Sequence, residues 1–220
     1  LFGCSLLSAG PNDWERIEVE PGGRIDAIAD FGGGVIVLGT RLPNPSNVYR
    51  SDDLGATWSL ITNVGDDDYI TCVASGEGGV GYILTGGKVH VWKTDDDGLT
   101  WRDLGRVNDA ASGTNFAEAY GMVVTPAGTV LIADTDADGG RITRSEDGGK
   151  TWQVSAPISP RAVYRLQLVG DGIIANGWAG HIYKSTDDGR TWWDCGKLMD
   201  SFLYAIDYLG DDEVLIGTES

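Results

Sequence analysis

The chain of 220 residues holds no apolar stretch long enough to cross a membrane as a helix. Positive charge is scarce: 16 Lys and Arg stand against 33 Asp and Glu, a formal net charge of -17. Phosphate backbones and anionic membrane surfaces would be repelled, which argues against nucleic acid and acidic lipid as partners. The acidity serves solubility, with cation binding as the sharper alternative. Cysteine is sparse as well. Cys4, Cys72 and Cys195 have spacings from which no disulfide can be argued. Cys72 lies in an apolar strand pattern and reads as a buried small residue. Helix signals are lacking, and the 33 glycines suit a chain of many tight turns.

What the chain does have is one phrase written four times. It spans Ser51 to Trp58, Thr94 to Trp101, Ser145 to Trp152 and Ser185 to Trp192, in the frame Ser/Thr-x-Asp-x-Gly-x-Thr-Trp. Self-similarity at this period points to a repeat architecture. Alternating strand patterns flank each copy, as in Asn47-Val-Tyr-Arg before the first and Trp58-Ser-Leu-Ile after it. Two strands joined by an Asp/Gly-rich segment form a hairpin. The hydroxyl of Ser51, Thr94, Ser145 or Ser185 and the carboxylate of Asp53, Asp96, Asp147 or Asp187 can bond amides within the turn. Gly55, Gly98, Gly149 and Gly189 permit positive φ. Trp58, Trp101, Trp152 and Trp192 bury apolar area. Invariance across all copies marks these residues as structural.

The phrase resembles the Asp-box, or BNR repeat, of sialidase-like β-propellers, and the resemblance covers nearly the whole chain. It implies an all-β propeller of four-stranded antiparallel blades with the boxes at the rim, away from the functional face. Two strand patterns precede each box, beginning with Ile25-Asp-Ala-Ile-Ala-Asp-Phe and Val35-Ile-Val-Leu-Gly-Thr, which completes four repeats. A fifth opens with Leu203-Tyr-Ala-Ile-Asp-Tyr and Val214-Leu-Ile-Gly-Thr, and Trp14-Glu-Arg-Ile-Glu-Val reads as the outer strand of another blade. Residues 14–220 are therefore expected to form a propeller with partial blades at both ends, a fragment of a larger ring. Residues 1–13 form a separate N-terminal segment. Its Leu1-Phe-Gly-Cys4 is similar to a bacterial lipobox, which would lipidate Cys4 and place a secreted, cell-surface or periplasmic protein. The alternative is that Leu1–Leu7 is a strand of a preceding blade.

Comparison among the repeats separates scaffold from site. The basic residue before each box (Arg50, Lys93, Arg144, Lys184) recurs and reads as scaffold or solvated edge. Tyr120, Tyr164 and Tyr204 share one position of three innermost strands and read as packing. His90 and His181 also share a position and read as partly exposed structural residues rather than a metal pair. Arg24, Asp26, Tyr69, Arg161 and Arg165 occur once each, near the starts of innermost strands. In propellers that end lines the ligand face, to which the insertion carrying Arg41 also contributes. A second insertion, Asp134-x-Asp136-x-Asp138-Gly139, has the alternate-carboxylate spacing of a calcium loop, although Ser145 stands where an EF-hand needs its bidentate Glu. A solvated acidic hairpin is the competing reading.

Two functions follow from the resemblance. The first is a non-catalytic extracytoplasmic interaction propeller whose face takes a protein or glycan. The second is a glycoside hydrolase of the sialidase or Asp-box glycanase kind. Sialidases need three arginines, a Tyr polarised by a Glu, and an Asp. The catalytic candidates are Arg24, Asp26 and Arg165. Arg24-Ile25-Asp26 has Asp where the family has Pro, Arg41-Leu42-Pro43 falls in a different loop, no third arginine is evident, and Glu118 is the only Glu near an innermost strand. Asp26 with Asp67 or Asp68 is the offer for a carboxylate pair. The interaction reading is the expectation taken forward.

Overall fold

A computed structural model describes residues 24–41, 45–64, 69–87, 89–107, 118–136, 138–200, 203–210 and 213–218. Cys4, the Leu1–Leu7 segment, the strand pattern from Trp14 and the Asp67/Asp68 offer lie outside the described residues.

Four antiparallel sheets run in chain order, each a four-stranded meander. Blade I contains β1 (Ile25–Gly32), β2 (Val35–Thr40), β3 (Ser46–Ser51) and β4 (Ser59–Val64). Blade II contains β5 (Ile70–Ser75), β6 (Gly81–Thr85), β7 (His90–Thr94) and β8 (Arg102–Arg106). Blade III contains β9 (Glu118–Val124), β10 (Val130–Asp136), β11 (Gly139–Ser145) and β12 (Gln153–Val154). Blade IV contains β13 (Val163–Val169), β14 (Gly172–Gly177), β15 (His181–Ser185) and β16 (Trp193–Lys197). A two-stranded sheet follows, β17 (Leu203–Gly210) and β18 (Glu213–Thr218). The innermost strands β1, β5, β9, β13 and β17 touch in that order, so the blades stand side by side around one axis.

The core lies between blades rather than within them. Strand side chains alternate faces with period 2. On β10, Val130 and Ile132 join the blade II cluster of Tyr82, Leu84, Val89 and Val91. Leu131 and Ala133 point the other way, to Val163, Leu166, Ile173 and Tyr183 of blade IV. A sheet buried on both faces reads as an uninterrupted apolar run, which is why Val130-Leu-Ile-Ala133 carries no polar alternation.

The repeated octapeptide closes the β3–β4, β7–β8, β11–β12 and β15–β16 hairpins with one hydrogen-bond pattern. In the third copy the Ser145 hydroxyl donates to Asp147 Oδ1 (2.9 Å) and accepts from the Gly149 amide (2.8 Å). Asp147 accepts the Thr151 amide at Oδ1 (2.9 Å) and the Thr151 hydroxyl at Oδ2 (2.6 Å). The same four contacts recur around Asp53, Asp96 and Asp187. The turns of blades II, III and IV also seat against the preceding blade. Gly149 and Gly189 take φ of 88° and 77°, and a Cβ there would stand 2.5 Å from Leu104 and from Leu131 respectively. The basic residue before the box completes this contact. Arg50 Nε donates to Asp97 O (2.6 Å) in the next blade's turn, and Arg144 Nε donates to Asp188 O (2.8 Å). Both arginines are buried. Of the two readings given to these positions, scaffold holds for Arg50 and Arg144, and their work is to tie blade to blade.

Candidate functional site

Every innermost strand opens with a bulge at the same repeat position. Ile25 pairs with Thr40 and Ala27 with Gly39, which leaves Asp26 over. Thr71 is left over between Ile70 and Cys72, Tyr120 between Ala119 and Gly121, and Tyr164 between Val163 and Arg165. The register of β17 skips Tyr204 in the same way. A bulge inserts one residue and re-aims its side chain. Asp26, Thr71, Tyr120 and Tyr164 line a single open cavity of about 460 Å³ at this end of the blades, with Arg24, Ile25, Arg41, Tyr69, Glu118 and Arg165.

The residues two positions upstream of the bulges are held by backbone bonds to the end of the second strand. The Arg41 amide donates to Arg24 O (2.8 Å), and the Gly86 amide donates to Tyr69 O (2.9 Å). Gly86 makes room for this arrangement, since a Cβ there would fall 2.6 Å from the Tyr69 ring.

The side chains form a continuous network across four blades. Arg24 Nε donates to Asp26 Oδ1 (2.5 Å), and Arg41 Nη1 lies 3.5 Å from Asp26 Oδ2. The Arg41 guanidinium sits 3.9 Å from the centroid of Tyr69, whose hydroxyl donates to Glu118 Oε1 (3.1 Å). The Tyr120 hydroxyl donates to the other oxygen of Glu118. Tyr164 meets Tyr120 edge-on at 5.3 Å, and Arg165 Nη1 donates to Tyr120 O (2.6 Å). Burial, then the hydrogen bond and charge of Glu118, push the Tyr120 phenol well above its usual range. Three arginines face two carboxylates, a local positive excess in a protein of net charge -17.

One expectation needs correction and two are sharpened. Tyr120 and Tyr164 do pack, against each other across blades III and IV, and the bulge also turns them to the cavity they line. Arg41, expected on the ligand face, stands beside Arg24, whose carbonyl accepts its amide. The arginines of the cavity therefore number three, not two. Glu118, Thr71 and the tyrosine pair were missed, and the signal that could have found them was the shared repeat position itself. Arg24, Asp26, Tyr69, Arg41 and Arg165 come together. Arg161 is exposed on the same end of blade IV, outside the cavity lining, with its guanidinium 4.6 Å from the Trp178 ring.

The Asp134–Gly140 segment is not an open loop. It is the tip of the β10–β11 hairpin, with Asp134 paired to Arg141 and Asp136 to Gly139 in the ladder. Asp134 is buried and accepts the Thr143 hydroxyl at 2.6 Å. Asp138 is exposed and lies 3.4 Å from Arg141. The side chain of Asp136 lies outside the described residues. Among the described residues no group of three His, Cys, Asp or Glu side chains could hold a metal ion. His181 and His90 face Asp194 (2.9 Å) and Asp103 (3.5 Å) on the adjacent outer strand, not each other. Cys72 and Cys195 are free thiols, and burial pushes the Cys72 thiol up.

No family model matches the chain, and no curated protein does. Solved structures do. YCF48 bound to D1 peptide superposes with a TM-score of 0.67 at 19% identity, over 94% of this chain and 66% of that one. Virginiamycin B lyase from Staphylococcus aureus gives 0.72 at 12% identity, over 90% and 64%. A Hadza microbial sialidase gives 0.59 at 16%, over 80% and 47%. The chain thus spans about two thirds of the first two and under half of the third. Likeness at such identities carries the fold and not the activity: the chain is a β-propeller of four-stranded antiparallel blades.

Proposed function

We propose that this is a non-catalytic interaction propeller that takes a protein or glycan ligand on the face where the innermost strands begin, and that the repeated turn is an Asp-box. The observation that carries the reading is the convergence of Arg24, Arg41 and Arg165 in one open cavity of an otherwise anionic protein. Asp26 bridges two of the arginines, yet a guanidinium has five N–H donors, so donors remain for a ligand carboxylate or other anion. A positive spot on a negative surface also guides an acidic group to one place. YCF48, which has the same fold, was solved with a peptide bound. Peptide and glycan arrays probed with the purified chain are expected to retain acidic spots, and Arg24→Ala/Arg41→Ala should lose them. Undiminished binding by that variant would put the ligand elsewhere.

A glycosidase is the second reading, favoured by Tyr69 and Tyr120 on Glu118 beside three arginines. Two features weigh against it. A nucleophilic tyrosine needs its phenol activated, whereas Tyr120 is pushed the other way. Asp26, the candidate acid/base, is engaged by Arg24 and Arg41. A fluorogenic sialoside is expected to show no turnover above background; turnover that Tyr120→Phe abolishes would replace the interaction reading with this one.

A further inference from the structure

We infer a second anion-binding point on the same face, the Arg161–Trp178 platform on blade IV, and with it a ligand class: an extended peptide with two acidic residues at alternate positions, i and i+2. The inference rests on the proposed reading that the cavity takes an anionic group.

The platform is built rather than incidental. The Trp178 amide donates to Ala162 O (2.9 Å), which is the backbone bond that Arg41 makes to Arg24 in blade I and Gly86 makes to Tyr69 in blade II. Trp178 therefore occupies the repeat position that supplies Arg41 to the cavity. The turn behind it is held in an unusual conformation. Ala179 takes φ of 56°, and Gly180 takes φ of 81° with so little room that a Cβ would meet Met199 O at 2.0 Å. A non-glycine residue in the left-handed region costs free energy, so the surrounding structure must enforce it. Here Gly180 O accepts the Leu198 amide (2.9 Å). The result places the indole under Arg161, whose own carbonyl is fixed by the Thr135 hydroxyl at 3.0 Å.

Arg161 differs from the other arginines in what holds it. Arg24 and Arg41 share Asp26, and Arg50, Arg102, Arg144 and Arg190 each lie against an acid. Among the described residues no carboxylate pairs with Arg161, although the chain carries 33 of them. An indole keeps the guanidinium extended and in place without neutralising it. Its N–H donors stay available to a carboxylate from outside.

Arg161 precedes the cavity residue Tyr164 by three positions, so their backbones are at most about 10 Å apart. In an extended peptide the side chains that share one face are those at i and i+2, about 7 Å apart, which fits within that span. One acidic side chain would enter among Arg24, Arg41 and Arg165 while the second reaches Arg161. An acidic oligosaccharide fits less well. Sugars bind indoles by stacking a ring on the open face, and here Arg161 covers one face of Trp178.

The test uses fluorescence anisotropy of two labelled peptides, Gly-Asp-Gly-Asp-Gly and its single-acid counterpart Gly-Asp-Gly-Asn-Gly, with the intact chain. The expected result is binding of the two-acid peptide about tenfold tighter, an advantage that shrinks at high salt. Arg161→Gln, an exposed change that keeps a planar group on the indole, should erase the advantage and leave the single-acid affinity as it was. Arg41→Ala should weaken both peptides. If the single-acid peptide binds in an Arg41-dependent way but Arg161→Gln changes nothing, the platform is refuted and the cavity reading stands. If neither peptide binds, both readings fall. Selective, Arg161-dependent binding of an oligouronate with no peptide binding would also overturn the proposal.

Discussion

Asp147 illustrates how one side chain organises a turn. Its two oxygens take the Thr151 hydroxyl, the Thr151 amide, the Ser145 hydroxyl and the Lys150 amide. Three other residues of the hairpin, Ser145, Lys150 and Thr151, are thereby tied to one carboxylate. The chain direction that results carries Trp152 back onto the Leu104 and Val154 side of the core shared by blades II and III. Trp152→Ala should therefore cost about 3 kcal/mol, the lower end for large aromatic truncations because the indole is only partly buried. Chemical denaturation of the variant measures it; an unchanged midpoint would mean that the box tryptophan is not structural.

Hairpins become blades of a stack through the contact each turn makes with its neighbour. Gly149 is the clearest case, because positive φ and the nearness of Leu104 both demand glycine. Gly149→Ala is expected to destabilise by about 1–3 kcal/mol from the strained backbone and the crowding together. Leu104→Ala removes the crowded atoms but not the strain. The double variant should thus lose less than the sum of the two single ones, by about 0.5 kcal/mol or more. Strict additivity in denaturant titrations would show that the turn does not bear on blade II. The same element-level logic governs the site. A single extra residue per innermost strand turns Tyr120 and Tyr164 to the cavity they line.

At the scale of the whole molecule, four copies of one turn make acid stability a collective property. Hydrogen bonds from Thr151, then Ser145 and Lys150, hold the Asp147 carboxyl at about 2, against an ordinary value of 3.8. Asp53 and Asp96 are lowered in the same direction by Thr57 and Thr100. At Asp187 burial opposes the shift, and bonds from Thr191 and Ser185 outweigh it. A folded-state value below the unfolded one means that the unfolded chain binds more protons between the two. Stability from these turns is then fully present above about pH 4 and lost as pH falls towards about 2. Urea midpoints measured from pH 2 to 7 should fall steeply only below about pH 4. A loss that begins well above pH 4 would mean that the box carboxylates are not the groups responsible.

The architecture was legible in the sequence because its information is local and repeated. Ser/Thr-x-Asp-x-Gly-x-Thr-Trp specifies a turn through bonds spanning at most a few residues, and four copies at a regular spacing specify the blade. The singletons Arg24, Asp26, Tyr69, Arg41 and Arg165 could be marked as one face by the same bookkeeping. What only the tertiary structure decided is contact between residues far apart in the chain. Tyr69 reaches Glu118, and Arg165 reaches Tyr120, across neighbouring blades. The bulges could not be read from alternation, because a one-residue slip in a run apolar on both faces leaves the pattern unchanged. The geometry of the aspartate-rich segment depends on register for a related reason. Alternate aspartates can converge in a loop, but here Asp134 and Asp136 belong to β10, and the ladder leaves Asp134 buried while Asp138 stays exposed at the turn. Local hydrogen bonding thus determined the fold from sequence alone, and strand register across blades decided the site.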